Sequence, residues 1–320
     1  MENNRKVRIV MYHYTRDLVH SRYPNIKGMD FPLFKEQLEF FKKNYNVISM
    51  EELLAAANEN LDLPENALAL TFDDGYIDNY TFAFPLLQEL KLTASFYITG
   101  KTFAKHELLD VNKIHYILAS TDIKRIVPDL KKKLDFYRGR EYDYPTNEEL
   151  WQTYAVDGKY DKKDVVFVKK LLQTVLPEDL RNIISSELFS DYLGVTEEQL
   201  AYELYMTENQ VRVLKNNGMF IGLHGYDHYW LGNLEKEHME KDLEAALEIM
   251  DEFIDRDNWV MNYPYGSYNQ DVLDFVVKKG AKLGLTTEVR VADLNKDNKL
   301  LLPRFDCNDF PPKSENYKNF

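Results

Sequence analysis

The stretch LALTFDDGYIDNY, residues Leu68 to Tyr80, decides how the rest of the chain is read. Ala67 to Phe72 is short, apolar and ends in Thr-Phe, the pattern of a buried strand. Asp73, Asp74 and Gly75 then stand where that strand must turn. Adjacent carboxylates repel each other, and burying either without a partner is costly. Asp and Gly are also ordinary turn residues, so a solvated turn accounts for these letters taken alone. The choice depends on whether other strands end in matching polar residues.

Val7 to Tyr12 is a β-branched apolar run with His13 at its end. Thr93 to Ile98 reads as another strand, and Met219 to Leu223 as one that ends at His224. Trp259 to Met261, Lys282 to Thr286 and Leu300 to Phe305 complete the series. Helical patterns lie between them. Phe31, Phe34, Leu38 and Phe41 follow helical spacing, and Ser49 with Glu52 forms a capping-box pattern. Asn79 to Leu90 reads as a helix in which Pro85 implies a kink or a late start. Thr207 with Gln210 forms a second capping box, closed by Gly218. Glu235 to Ile254 and Gln270 to Lys279 follow, the latter closed by Gly280. Strands alternating with helices predict an α/β fold with a parallel sheet or barrel. In such folds functional residues gather at the C-terminal ends of strands. His13, Asp73, Asp74, His224 and Pro264 all stand at or just beyond such ends.

The rhythm changes over residues 101–206, which are rich in Lys, Asp, Glu and Tyr. Asn112 to Ala119 and Val165 to Val175 are helical patterns there, whereas Arg138 to Tyr160 looks irregular. The expectation is one domain over 1–320 with 101–206 as a mostly helical insertion. With 320 residues, 44% of them hydrophobic, the chain can bury a sizeable core. The formal net charge of -13 repels a phosphate backbone, which argues against a nucleic-acid partner. A local basic pocket for a nucleotide-linked or phosphate-linked substrate stays compatible with that charge. Cys307 is the one cysteine, so no internal disulfide forms, as suits a reducing compartment. The polar start Met-Glu-Asn-Asn-Arg-Lys shows no signal-peptide core, and no run reaches the roughly 18 apolar residues of a membrane span. These features lead us to expect a cytoplasmic protein with no transmembrane segment.

LHGYDHYWL, Leu223 to Leu231, is the second informative stretch. His224 and His228 are four residues apart, and if the loop turns helically both imidazoles face the same way. Two imidazoles and one carboxylate make an open-faced set suited to a catalytic metal, with Asp74 as the candidate carboxylate. A pair of polar loop histidines is the alternative. The third stretch, NYPYGSYN from Asn262 to Asn269, is a shaped loop that reads alone as a turn.

Taken together, the three stretches resemble the polysaccharide deacetylase family, the NodB-homology enzymes of carbohydrate esterase family 4. Thr71-Phe72-Asp73-Asp74-Gly75 matches the family's first motif in full. His224-Gly225-Tyr226-Asp227-His228 matches its second, His-(Ser/Thr)-x-x-His, with Gly in place of the hydroxyl residue. Pro264-Tyr265-Gly266 matches the end of its third. The resemblance spans roughly residues 7–100 and 207–306 and leaves out the insertion. It implies a distorted (β/α) barrel and a hydrolase that removes an acetyl group from the nitrogen of an amino sugar. It implies that Asp73 is the general base and that Asp74, His224 and His228 bind one divalent metal, zinc first, cobalt or nickel otherwise. It places Pro264 and the backbone N–H of Tyr265 at the oxyanion.

Two departures stand out. The third motif usually begins with an Arg that pairs with the catalytic Asp, and here Asn262 and Tyr263 occupy that place. Arg304, in LLPRFDCND, is the candidate to supply that guanidinium from another strand end, a surface ion pair with Asp306 being the alternative. The family's late Leu-x-His motif is absent, since no histidine follows His238. His13 then becomes the candidate general acid, as in family branches that share its Tyr-His start, with a satisfied strand-end histidine as the other reading. Asp227 is either a partner that orients a ligand histidine or a solvated loop charge. The expected substrate is an amino sugar or saccharide, nucleotide-linked or lipid-linked. The insertion either walls the cleft or forms a homo-oligomer contact. The rivals are an O-acetyl esterase or other C–N hydrolase on the same scaffold, and a carbohydrate-binding protein that has lost turnover.

Overall fold

The structure is a computed structural model, and it describes residues 5–158 and 161–320. The polar start before Arg5, and Lys159 and Tyr160 at the end of the stretch expected to be irregular, lie outside those residues. The chain forms two compact units. Among the described residues, the first comprises 5–17, 28–106 and 203–320, and the second 18–27, 107–158 and 161–202.

The strands of the first unit are, in chain order, β1 (Lys6–Tyr12), β2 (Thr15–Arg16), β3 (Met29–Asp30), β4 (Asn46–Val47), β5 (Ala67–Phe72), β6 (Ser95–Ile98), β7 (Phe220–Leu223), β8 (Val260–Asn262), β9 (Leu283–Leu285), β10 (Ala292–Asp293) and β11 (Phe305–Asp306). Among the described residues, β2 and β3 pair only with each other. The rest form one curled sheet in the order β10-β1-β5-β6-β7-β8-β9, with β4 on β5 and β11 on β1. Every pairing in it is parallel except β1 with β10. The α/β fold expected from the alternating pattern is therefore present, and the distorted barrel that the resemblance implies takes the form of a curled half-barrel of parallel strands. Parallel strands bring all their C-terminal ends to one rim, the ordinary place for a site in such folds.

Side-chain alternation in β5 explains what reaches that rim. Ala67 and Ala69 pack with Val7, Ile9, Val260 and Leu283 in one apolar cluster. Leu68, Leu70 and Phe72 point the other way, into a cluster with Phe34, Leu38 and Phe96. The same period carries the first face upward from two alanines to Thr71 and then Asp73. Both are fully buried, so polar groups follow apolar ones along one line of the strand.

The final strand differs from its expected extent. Leu300 to Phe305 does not run as one strand. Lys299–Leu301 forms a 3₁₀ turn, Leu302 bridges Leu285, and only Phe305–Asp306 pairs with β1. Pro303 explains the break, because proline has no N–H to give to a ladder. The segment nonetheless pairs with both β9, at one end of the sheet, and β1, next to β10 at the other. The helix expected over Asn79 to Leu90 starts as a wider π turn, Asn79–Ala83, and becomes α-helical at Phe84–Leu90, with Pro85 in its first turn.

The second unit is helical: Asp110–Ser120, Ile123–Tyr137, Asn147–Tyr154, Lys163–Lys170 and Glu178–Tyr192. Ile126, Leu130 and Leu134 line one helix face and Leu180, Ile184 and Leu188 another, all buried. The stretch expected to be irregular contains a helix, Asn147–Tyr154, begun by a capping box in which Thr146 and Glu149 bond each other's backbone N–H. Residues 18–27 join this unit through Lys27, which pairs with Asp161, and that carboxylate also bonds Lys169 at 2.7 Å.

Candidate functional site

The turn after β5 places its two aspartates in different surroundings. The Asp73 N–H donates to the Tyr12 carbonyl at 2.9 Å, which extends the ladder by one residue. Its carboxylate receives a two-pronged grip from Arg304, Nη1 to Oδ1 at 2.8 Å and Nη2 to Oδ2 at 2.9 Å. Arg304 is 1% exposed and is itself oriented by the Thr286 carbonyl at 2.9 Å and the Thr71 hydroxyl at 3.1 Å. Planar guanidinium against carboxylate is the strong form of such a pair. Burial alone would push the Asp73 carboxyl up. Arg304, helped by His13 and His224, outweighs it and holds the group below its usual value. His13 Nε2 lies 3.8 Å from Asp73 Oδ2, with the His13 side chain 41% exposed. The Asn79 amide fixes the His13 carbonyl at 2.9 Å.

Asp74 turns the opposite way with a left-handed backbone, φ 72°, followed by Gly75 at φ 73°. Its Oδ1 lies 3.2 Å from His224 Nε2 and 3.2 Å from His228 Nε2, and its Oδ2 accepts from the Tyr76 hydroxyl at 2.6 Å. His224 Nδ1 is 2.6 Å from the Asn262 carbonyl, which leaves that ring nitrogen as the donor and Nε2 with a lone pair. With a neutral imidazole, the form that can bind a metal, the contact with Asp74 Oδ1 sets acceptor against acceptor, and that oxygen has no hydrogen-bond partner among the described residues. Buried acceptors converge in this way around a cation. Ligand atoms from all three residues lie within 4.8 Å of one another, and all three side chains are buried. Burial would raise Asp74, but His228 and His224 hold it well below the carboxylate range. Burial lowers His228, whereas His224 is raised because Asp74 and Asp73 outweigh burial. The donor set and geometry fit a divalent metal.

The histidine loop is held on several sides. Asp242, buried in the helix Lys236–Ile249, accepts from the N–H of Tyr226 at 3.0 Å and of Asp227 at 2.8 Å. The N–H groups of Gly100 and Lys101 bond the carbonyls of Gly225 and Tyr226 at 2.9 and 3.0 Å. Burial pushes the Asp242 carboxyl up to about 6 against these donors. Asp227 does not reach a ligand histidine. It pairs with Lys101 at 2.8 Å, so the solvated-charge reading is nearer. Gly225 adopts φ 71°, which explains glycine where the family carries a hydroxyl residue. His228 and Tyr265 both take φ 57°, so with Asp74 three non-glycine residues of one site occupy the left-handed region. Such strain persists where surrounding contacts impose it. The Tyr265 ring stacks on Trp230 at 4.4 Å and meets His228 edge-on at 4.6 Å.

All the residues expected from the sequence meet at this rim: His13, Asp73, Asp74, His224, His228, Pro264, Tyr265 and Arg304. Tyr76 and Asp242 went unnoticed in the sequence. Asp242 had left a signal, since it shares the buried helix face with Met239, Leu243 and Ala246. Tyr76 left none beyond its place after the glycine.

A family model described as polysaccharide deacetylase matches residues 60–131 and 188–285, just over half of the chain. The chain belongs to the polysaccharide deacetylase family. It is similar to a putative polysaccharide deacetylase, YxkH, of Bacillus subtilis, 25% identical over 91 residues, 28% of this chain and 33% of that one. It is also similar to the poly-beta-1,6-N-acetyl-D-glucosamine N-deacetylase of Escherichia coli, 39% identical over 61 residues, 19% of this chain and 9% of that one. The matches thus span a third or less of these curated relatives. Among solved structures, the Streptococcus pyogenes deacetylase PplD in complex with acetate superposes with a TM-score of 0.58 at 18% identity, over 98% of this chain and 96% of that one. IcaB from Ammonifex degensii gives 0.54 at 16%, over 94% and 91%. At these identities the likeness concerns the fold.

Proposed function

We propose that the protein is a metal-dependent hydrolase that removes the N-linked acetyl group of an amino sugar, releasing acetate and a free amine. The observation that carries this reading is the pair of neighbouring aspartates with divided partners: Asp73 on Arg304, Asp74 on two imidazoles. Asp74, His224 and His228 would hold one divalent ion, zinc being the best fit to one carboxylate and two imidazoles, with cobalt or nickel as alternatives. When bound, such an ion polarises the acetyl carbonyl and makes water more acidic.

Asp73 takes up the proton of the attacking water, and Arg304 keeps that carboxylate ionised and aimed. His13 donates a proton to the leaving nitrogen as its bond to the acetyl carbon breaks. The Tyr265 N–H, beside Pro264, steadies the oxyanion, a contact typically worth about 10²–10³ in rate. Arg304 also bears on the rival of a binding protein without turnover, because a guanidinium, missing from the third motif, reaches Asp73 from the segment just before β11.

Acetate release from matched N-acetyl and O-acetyl saccharides tests the proposal. The panel includes poly-β-1,6-N-acetyl-D-glucosamine, after the named Escherichia coli relative, and nucleotide-linked N-acetyl sugars. Release from N-acetyl substrates is expected. Release from O-acetyl substrates alone, or saccharide binding without any release, would overturn it.

A further inference from the structure

We infer that Tyr76 is a positioning residue that makes Asp74 present a single oxygen to the ion. The inference rests on the reading that Asp74, His224 and His228 form a metal site. The two oxygens of Asp74 are unlike. Oδ1 faces both imidazole Nε2 atoms without a hydrogen bond, and Oδ2 accepts from the Tyr76 hydroxyl at 2.6 Å. A carboxylate with both oxygens free can turn and chelate. One whose second oxygen already accepts a short hydrogen bond is held from turning and favours coordination through the first.

The Tyr76 ring is fixed in place. It is fully buried, stacks on Tyr14 with centroids 4.2 Å apart and planes 12° apart, and lies parallel to Tyr205 at 6.1 Å. Its backbone bridges Tyr205, and the Met206 N–H bonds the Gly75 carbonyl at 3.0 Å. The hydroxyl therefore cannot swing away without opening a packed aromatic stack. Partners of this kind around a ligand carboxylate typically change metal affinity by about 10–100-fold.

The test measures zinc affinity by chelator competition on wild type and Tyr76→Phe, with a thermal melt of each metal-free protein. Phenylalanine keeps both ring contacts and loses only the hydroxyl. A zinc Kd weakened about tenfold or more, with the melt nearly unchanged, is expected. X-ray absorption or a crystal structure of zinc-loaded wild type supplies a second measurement that needs no variant. It should show one Asp74 oxygen on the ion and the other still on Tyr76. An unchanged Kd in a folded variant, or two Asp74 oxygens on the ion in wild type, would overturn the inference and leave the metal reading standing. Wild type that binds no zinc, cobalt or nickel would overturn the metal reading itself.

Discussion

At the scale of single residues, the site depends on what each carboxylate is given as a partner. Asp73 is buried and ionised because Arg304 grips both of its oxygens. Removing one member of a buried pair leaves an uncompensated charge and typically costs about 3–5 kcal/mol. Arg304→Met should therefore lower the melting temperature and reduce kcat at least about a hundredfold, since Asp73 loses its alignment and its bias toward the ionised form. Zinc content should stay near that of wild type. A variant with full activity would show that Arg304 is only structural. His13 makes a different prediction, because it reaches Asp73 from a partly exposed position. His13→Ala should lose about 10²–10⁴ in kcat on an N-acetyl sugar, whose amine must be protonated as it leaves. An aryl acetate, whose leaving group needs no proton, should lose far less. Equal losses on the two substrates would contradict the role of general acid.

At the scale of elements, loops carry the site and the sheet fixes where they start. Gly225, Gly75 and the left-handed Asp74, His228 and Tyr265 each turn the chain sharply just past a strand end. The helical unit depends in part on charge. Burial would raise the carboxyl of Asp161, but Lys169 and Lys27 outweigh it and hold the group below its usual value. The folded chain therefore binds fewer protons here than the unfolded chain in acid. The stabilisation is complete above the unfolded pKa and is lost as pH falls through the lower folded value. Lys27 is 64% exposed, so we expect less than about 1 kcal/mol. Urea unfolding of wild type and Asp161→Asn from about pH 6 to about pH 3 should show a stability difference that shrinks with acid. A constant difference would contradict the ion-pair account.

At the scale of the whole molecule, the alternating pattern and the polar residues ending its strands revealed most of the barrel and its rim. Ala67–Phe72 has its expected limits because an apolar run bounded by a turn signal is a local property. What stayed hidden is non-local. Pro303, beside Arg304, marks the break in the last strand, but nothing near it in the chain says that the segment still reaches both β9 and β1. The bond between Tyr76 and Asp74 depends on a left-handed turn that sequence spacing does not specify. Asp242 was legible in principle, as an acid on a buried helix face. Asn147–Tyr154 was missed because Pro145 and the tyrosines before it mask a capping box. No helix among the described residues is long and apolar enough to cross a membrane. The account stands or falls on an ion held by Asp74, His224 and His228 and used in hydrolysis. The most direct measurement is metal content together with acetate release, on wild type and Asp74→Ala, across N-acetylated saccharides. We predict about one metal per chain in wild type, with metal and acetate release lost together in the variant. Undiminished acetate release from a metal-free Asp74→Ala protein would contradict the account.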